Sequence, residues 1–155
     1  MAYYADLAPC DYFGKPTNPL IAVGWLEAGK PYPQDKLRDE VFQKIMQILS
    51  KAWQPMVFMG SHQCDLCPAT VGVRFCSLQR YGLSVSFGVG NLFVPGDHRV
   101  FVAPSMIVHY IDAHQYHPPE EFCRAVLNCP EMGSLPYFEA LAYCAVVPPA
   151  QEFRP

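Results

Sequence analysis

Two pairs of metal-type ligands constrain this chain more than any other feature. Cys64 and Cys67 form a Cys-x-x-Cys within GSHQCDLC, residues 60–67. A turn of that length presents two thiolates to one tetrahedral ion, whose other ligands normally arrive from a distant segment as a second pair. His109 and His114, an H-x4-H in MIVHYIDAHQYHPPEEF, supply that pair at a spacing found in zinc sites. Positions 68–108 separate the pairs, against about 12–15 residues in a compact zinc finger. The order is that of a Cys2His2 site: knuckle, β-prone segments, then a helix with two histidines. Zn2+ on Cys64, Cys67, His109 and His114 is therefore the expected cofactor and ligand set. Geometry raises one objection, because five residues on an ideal helix set two side chains roughly 140° apart. The pair converges only if the last turn tightens or unwinds before Pro118.

The competing readings rest on the same stretch. A thioredoxin-like redox pair sits at the start of a helix, whereas Pro68 and β-prone residues follow Cys67. His62, two residues before Cys64, is the alternate: it replaces one helix histidine or hydrogen-bonds a ligand sulfur. His117 reads as a loop or capping residue and His98 as an ordinary side chain. Cys76 and Cys123 read as small hydrophobes in a strand and on a helix. Cys10, Cys129 and Cys144 lie near element ends with no assigned role.

At 155 residues, with 51% hydrophobic and 16% charged side chains, the chain has the size and composition of one folded domain. Seven cysteines, an odd number, argue against a full disulfide framework. The net charge is −3 and the 11 basic residues are scattered. Nucleic-acid binders usually carry a basic stripe, so DNA and RNA are poor candidates. There is no apolar run of about 20 residues, and the N-terminal MAYYADLAPCDYFG lacks signal-peptide character. These features lead to the expectation of a cytoplasmic protein.

Periodicity predicts one α+β domain over residues 1–155: a small antiparallel sheet, three to four helices, and a flexible tail at 146–155. Residues 1–19 read as irregular and 20–26 (LIAVGWL) as a buried strand. Residues 34–52 predict the best helix, with Leu37, Val41, Ile45, Ile48 and Leu49 on one face. Residues 70–78 and 83–89 read as strands around a loop at 79–82, and 99–103 as another strand. Pro104-Ser105 opens a helix placing Ile107, Tyr110, Ile111 and His114 on one side. Further helices are expected from Pro119 to Asn128 and over LPYFEALAYC, residues 135–144.

With VGWL (residues 23–26), GSHQCDLC and VFVAPSMIVHYIDAHQYHPPEEFCRAV (100–126), the chain resembles a family of uncharacterised bacterial proteins, from residue 20 to about 127. The resemblance implies a small cytoplasmic domain with a metal knuckle and no particular mechanism. A closed four-ligand site, with no nucleophile–base constellation, favours a non-catalytic domain working through protein contacts, of immunity or adaptor type. Candidate contact surfaces are the N-terminal aromatics and the proline-rich C-terminus. The alternative is a zinc hydrolase using Cys64, Cys67 and His109, with Asp112 or Glu120 as base. It lacks the His-Glu-x-x-His and deaminase signatures. A zinc-finger-like nucleic-acid binder ranks third.

Overall fold

The computed structural model describes residues 2–13, 20–55, 61–68 and 77–144. The expected strand residues 70–76, Cys76 among them, and the expected tail at 146–155 lie outside these residues.

Helix α1 spans Asp39–Ser50 and buries Val41, Phe42, Ile45, Met46, Ile48 and Leu49, a stripe at spacings of three and four. Asp39 and Glu40 occupy its first turn, where carboxylates complement the helix dipole. It begins five residues later than the periodicity predicts, because the chain before it has another partner. Gln34 bridges Tyr116, the Asp35 N–H donates to the Gln115 carbonyl at 3.0 Å, and the His117 N–H donates to the Pro33 carbonyl at 3.0 Å. Residues 33–35 are thus bound to 115–117 instead of coiling.

A four-stranded sheet carries the core. Its strands are β1 (Pro9–Cys10), β2 (Leu20–Ala22), β5 (Asn91–Pro95) and β6 (Val100–Pro104), in the order β1-β2-β6-β5. The β1–β2 and β5–β6 pairs are antiparallel while β2 and β6 run parallel, so the sheet is mixed, within the α+β class. Every residue of β5 and β6 is buried, as expected for strands covered on both faces. Strands β1 and β5 went unrecognised in the sequence. Gln54 pairs with β5 from outside the sheet: its amide N–H donates to the Asn91 carbonyl at 2.9 Å and its oxygen accepts the Asn91 N–H at 3.1 Å. The strand expected at 20–26 stops at Ala22. At Gly24, φ is +74° and the N–H leaves the ladder for the Asp6 carboxylate at 3.0 Å.

Strands β3 (Ser77–Arg80) and β4 (Leu83–Ser86) form a separate hairpin. Gln79 and Arg80 belong to the ladder, so the loop is Tyr81-Gly82 alone. Both loop residues have positive φ, the requirement of a tight turn matched to strand twist. Strand β4 ends at Ser86, short of the expected Val89, and packs on α1.

Helix α2 spans Ile107–His114, α3 Glu120–Asn128 and α4 Leu135–Tyr143. Pro104 closes β6 instead of opening α2. Ser105 spans the gap: its hydroxyl accepts the Gly88 and Gly90 N–H groups at 3.1 and 3.2 Å. Ser134 caps α4, accepting the Tyr137 N–H at 3.3 Å. The Trp25 indole donates to the Val102 carbonyl at 3.0 Å, and the buried Tyr137 hydroxyl to the Phe93 carbonyl at 2.8 Å. Two large aromatic side chains are thereby fixed to the sheet, one to the central β6 and one to the edge strand β5.

Candidate metal centre

The Cys-x-x-Cys segment is a turn centred on Asp65-Leu66. At its start the His62 N–H donates to the Gly88 carbonyl at 2.7 Å, which ties the segment to the loop after β4. At its tip the Asp65 carboxylate accepts the Ala28 N–H at 3.4 Å. The backbone N–H groups of Leu66 and Cys67 point back at the Cys64 sulfur. Burial pushes the Cys64 thiol up to about 11, against the pull of those two donors.

Helix α2 supplies the other pair. Ile107, Val108, Tyr110 and Ile111 are buried, which fixes the rotation of the helix and leaves His109 half-buried at the knuckle. The His109 ring stacks on Phe87, with centroids 5.1 Å apart and planes at 22°. His114 is the last helical residue. Beyond it Gln115 takes left-handed φ and ψ of 53° and 28°, and its N–H donates to the Tyr110 carbonyl. That bond spans five residues instead of four, and the Tyr116 N–H reaches the same carbonyl at 3.0 Å. A turn closed by an i→i+5 bond is wider than α-helical and rotates residues five apart toward one face. This widening answers the 140° objection. Tyr32 and Gln34 brace the turn by donating to the His114 carbonyl, at 3.4 and 3.5 Å.

Cys67 Sγ lies 3.2 Å from His109 Nε2 and 3.4 Å from His114 Nε2, and Cys64 Sγ lies 3.4 Å from His114 Nε2. All four ligand atoms fall within 4.8 Å of one another. Metal–sulfur bonds of about 2.3 Å and metal–nitrogen bonds of about 2.0–2.1 Å give tetrahedral sulfur–nitrogen edges of about 3.5 Å. The cluster therefore has the dimensions of a four-ligand metal site. Burial lowers the pKa of both His109 and His114, and for His109 the proximity of His114 adds to the effect. Neutral imidazoles, the form that binds metal, are favoured in both.

The other sequence candidates sit elsewhere. His62 falls outside the group of four; it lines a small cavity with Tyr12, Trp25 and Met106, and burial lowers its pKa. His98 is exposed beside Tyr143, and His117 Nδ1 lies 2.9 Å from the Pro118 carbonyl. Asp112 pairs with Arg80 at 2.8 Å, and Glu120 with Arg38 at 3.1 Å. Both carboxylates named as hydrolytic bases are thus held by guanidinium groups. Cys10, Cys123, Cys129 and Cys144 are buried, and burial pushes Cys123 and Cys129 up to about 11.

Two contributors went unrecognised in the sequence. Gly88 anchors the knuckle, and its only local signal is a glycine following Phe87. Tyr110 reads as an ordinary core residue of α2. Its ring lies 6.3 Å from the His109 ring and 6.5 Å from the His114 ring, and its hydroxyl is the buried side-chain polar atom without a hydrogen-bond partner among the described residues.

Among the described residues, no helix is long and apolar enough to cross a membrane. Neither a curated protein nor a solved structure matches the chain. A family profile does, over residues 2–127, a span that contains all four clustered residues. The chain belongs to that family, the domain of unknown function DUF7919.

Proposed function

We propose that this is a non-catalytic bacterial domain, working in the cytoplasm, in which Zn2+ bound by Cys64, Cys67, His109 and His114 fastens α2 to the knuckle. The observation that carries the reading is the convergence of four ligand atoms within 4.8 Å. Two thiolates and two imidazoles suit zinc, and four protein ligands saturate a tetrahedral ion. Saturation leaves no position for an activated water, which a hydrolase requires. The carboxylates available as bases, Asp112 and Glu120, are ion-paired. Two thiolates also offset the dication's charge and weaken it as a Lewis acid.

The domain then acts through contacts with another protein, as an immunity or adaptor module does. Its most exposed large hydrophobic side chains among the described residues are Leu135 and Tyr143, at 71% and 73%, on α4. They favour a partner with an apolar contact face. Most N-terminal aromatics turn inward: Tyr4 and Tyr12 pack against Trp25, and Phe13 against Phe93.

Elemental analysis of reduced protein purified without added metal tests the site. One zinc per chain is expected, falling well below stoichiometric in Cys67→Ser and in His109→Asn. Zinc-free wild-type protein, or full occupancy in both variants, refutes the reading. Loss of partner binding in Leu135→Glu with unchanged metal content would separate the contact role from the metal role.

A further inference from the structure

We infer that Phe87 is a positioning residue for the metal centre, its ring holding the His109 imidazole in the plane that aims Nε2 at the knuckle. The inference rests on the metal reading above and adds a residue to it. Histidine χ2 is a broad torsion, so the plane of a ligating imidazole has to be set by what the ring touches. In most metal sites an acceptor on the second ring nitrogen does this. Among the described residues, nothing hydrogen-bonds His109 Nδ1. The ring instead lies flat on Phe87, with centroids 5.1 Å apart and planes at 22°, while Nε2 lies 3.2 Å from Cys67 Sγ. His114 meets the same imidazole edge-on, with planes at 79°.

Phe87 serves as a reference surface because it is itself fixed. It is buried, and the glycine after it is held on both sides. The Gly88 N–H donates to the Ser105 hydroxyl at 3.1 Å, and the Gly88 carbonyl accepts the His62 N–H at 2.7 Å. Ser105 lies two residues before α2, and His62 two residues before Cys64. The segment that carries Phe87 is thus bonded to both ligand-bearing segments while supplying no ligand of its own. A cation on Nε2 draws electron density from the imidazole, and an electron-poor ring stacks more strongly on the face of a phenylalanine. The contact therefore favours the loaded state over the metal-free one.

The test measures the Zn2+ affinity of the full chain by competition with a chromophoric chelator, and the His109 ring-proton NMR shifts of the zinc-loaded protein. It compares wild type, Phe87→Leu and Phe93→Leu. Phe93 is a buried phenylalanine packed on Phe13 and Trp53, with no ring contact to either histidine, so its variant reports the loss of aromatic packing alone. Phe87→Leu should weaken Zn2+ binding about 2- to 10-fold, the worth of one aromatic pair. It should also move the His109 ring protons downfield, as shielding by the phenylalanine face is lost. Phe93→Leu should lower stability yet bind Zn2+ as the wild type does. Unchanged affinity in Phe87→Leu overturns the inference, as does an equal loss in Phe93→Leu, or a loss that leaves the His109 protons unmoved. In zinc-loaded wild type those protons should already lie upfield of their ordinary position, and ordinary shifts overturn the inference without recourse to a variant. A wild-type chain that takes up no Zn2+ refutes the metal reading itself, and this inference with it.

Discussion

Gly88→Ala offers a severe test of how the fold supports the metal centre. Gly88 has φ of +94°, where an L side chain is strained, and an added Cβ would lie 2.6 Å from the His62 carbonyl oxygen. The backbone cost alone is about 1–3 kcal/mol. Relieving the contact pushes residue 62 away and breaks its 2.7 Å N–H···O=C bond to residue 88, a further loss of about 0.5–1.5 kcal/mol. Restricting the unfolded chain returns about 0.4–1 kcal/mol. A net loss of about 2–3 kcal/mol in urea unfolding is expected. Gly82→Ala is the control: its φ is +72°, but nothing lies within 4 Å of the added Cβ, so only the backbone cost applies. The two variants should differ most in metal affinity, because residue 62 begins the segment that carries Cys64 and Cys67. If half of the 2–3 kcal/mol appears as knuckle displacement, the affinity falls about 10-fold, at about 1.4 kcal/mol per decade. Gly82 belongs to a hairpin loop with no ligand, and its variant should bind metal as the wild type does. Competition titration with a chromophoric chelator measures both. Equal metal affinity in the two variants would show that the His62–Gly88 clip does not position the knuckle.

Tyr137→Phe should cost about 1–3 kcal/mol, because it strands the buried Phe93 carbonyl, and chemical unfolding reads this directly. Burial raises the pKa of Asp6 above its usual 3.8, against hydrogen bonds from the Gly24 N–H and the Tyr116 hydroxyl. Its ionisation therefore opposes folding: the favourable contribution is complete below about pH 3.8 and fades as pH rises through the raised value. Against Asp6→Asn, wild-type melting should improve as pH falls toward 4, and a difference independent of pH would refute this. Arg80→Gln removes a partly exposed ion pair with Asp112 and should change stability by less than about 1 kcal/mol without altering metal content. A catalytic activity unmasked by freeing Asp112 would instead revive the hydrolase reading.

Residue types and spacing in the sequence singled out the four residues that the fold gathers within 4.8 Å of one another, because thiolate and imidazole pairs carry their chemistry with them wherever the chain places them. The apolar stripes of α1 and α3 were equally legible, since burying one helical face requires a period near 3.6. Tertiary structure decided where elements stop. Helix α1 begins at Asp39 because residues 33–35 bond with 115–117, and β2 ends where Gly24 turns to Asp6. Strand β5 was missed because its sequence, NLFVP, ends in proline and shows no alternation, as a strand covered on both faces does. The convergence of His109 and His114 was the least legible step. An ideal helix sets them apart, and the wide turn closed at the Tyr110 carbonyl, braced by Tyr32 and Gln34 from 82 and 80 residues away, brings them together. Local patterns fix which side chains can meet a metal. Hydrogen bonds between distant segments fix whether those side chains converge.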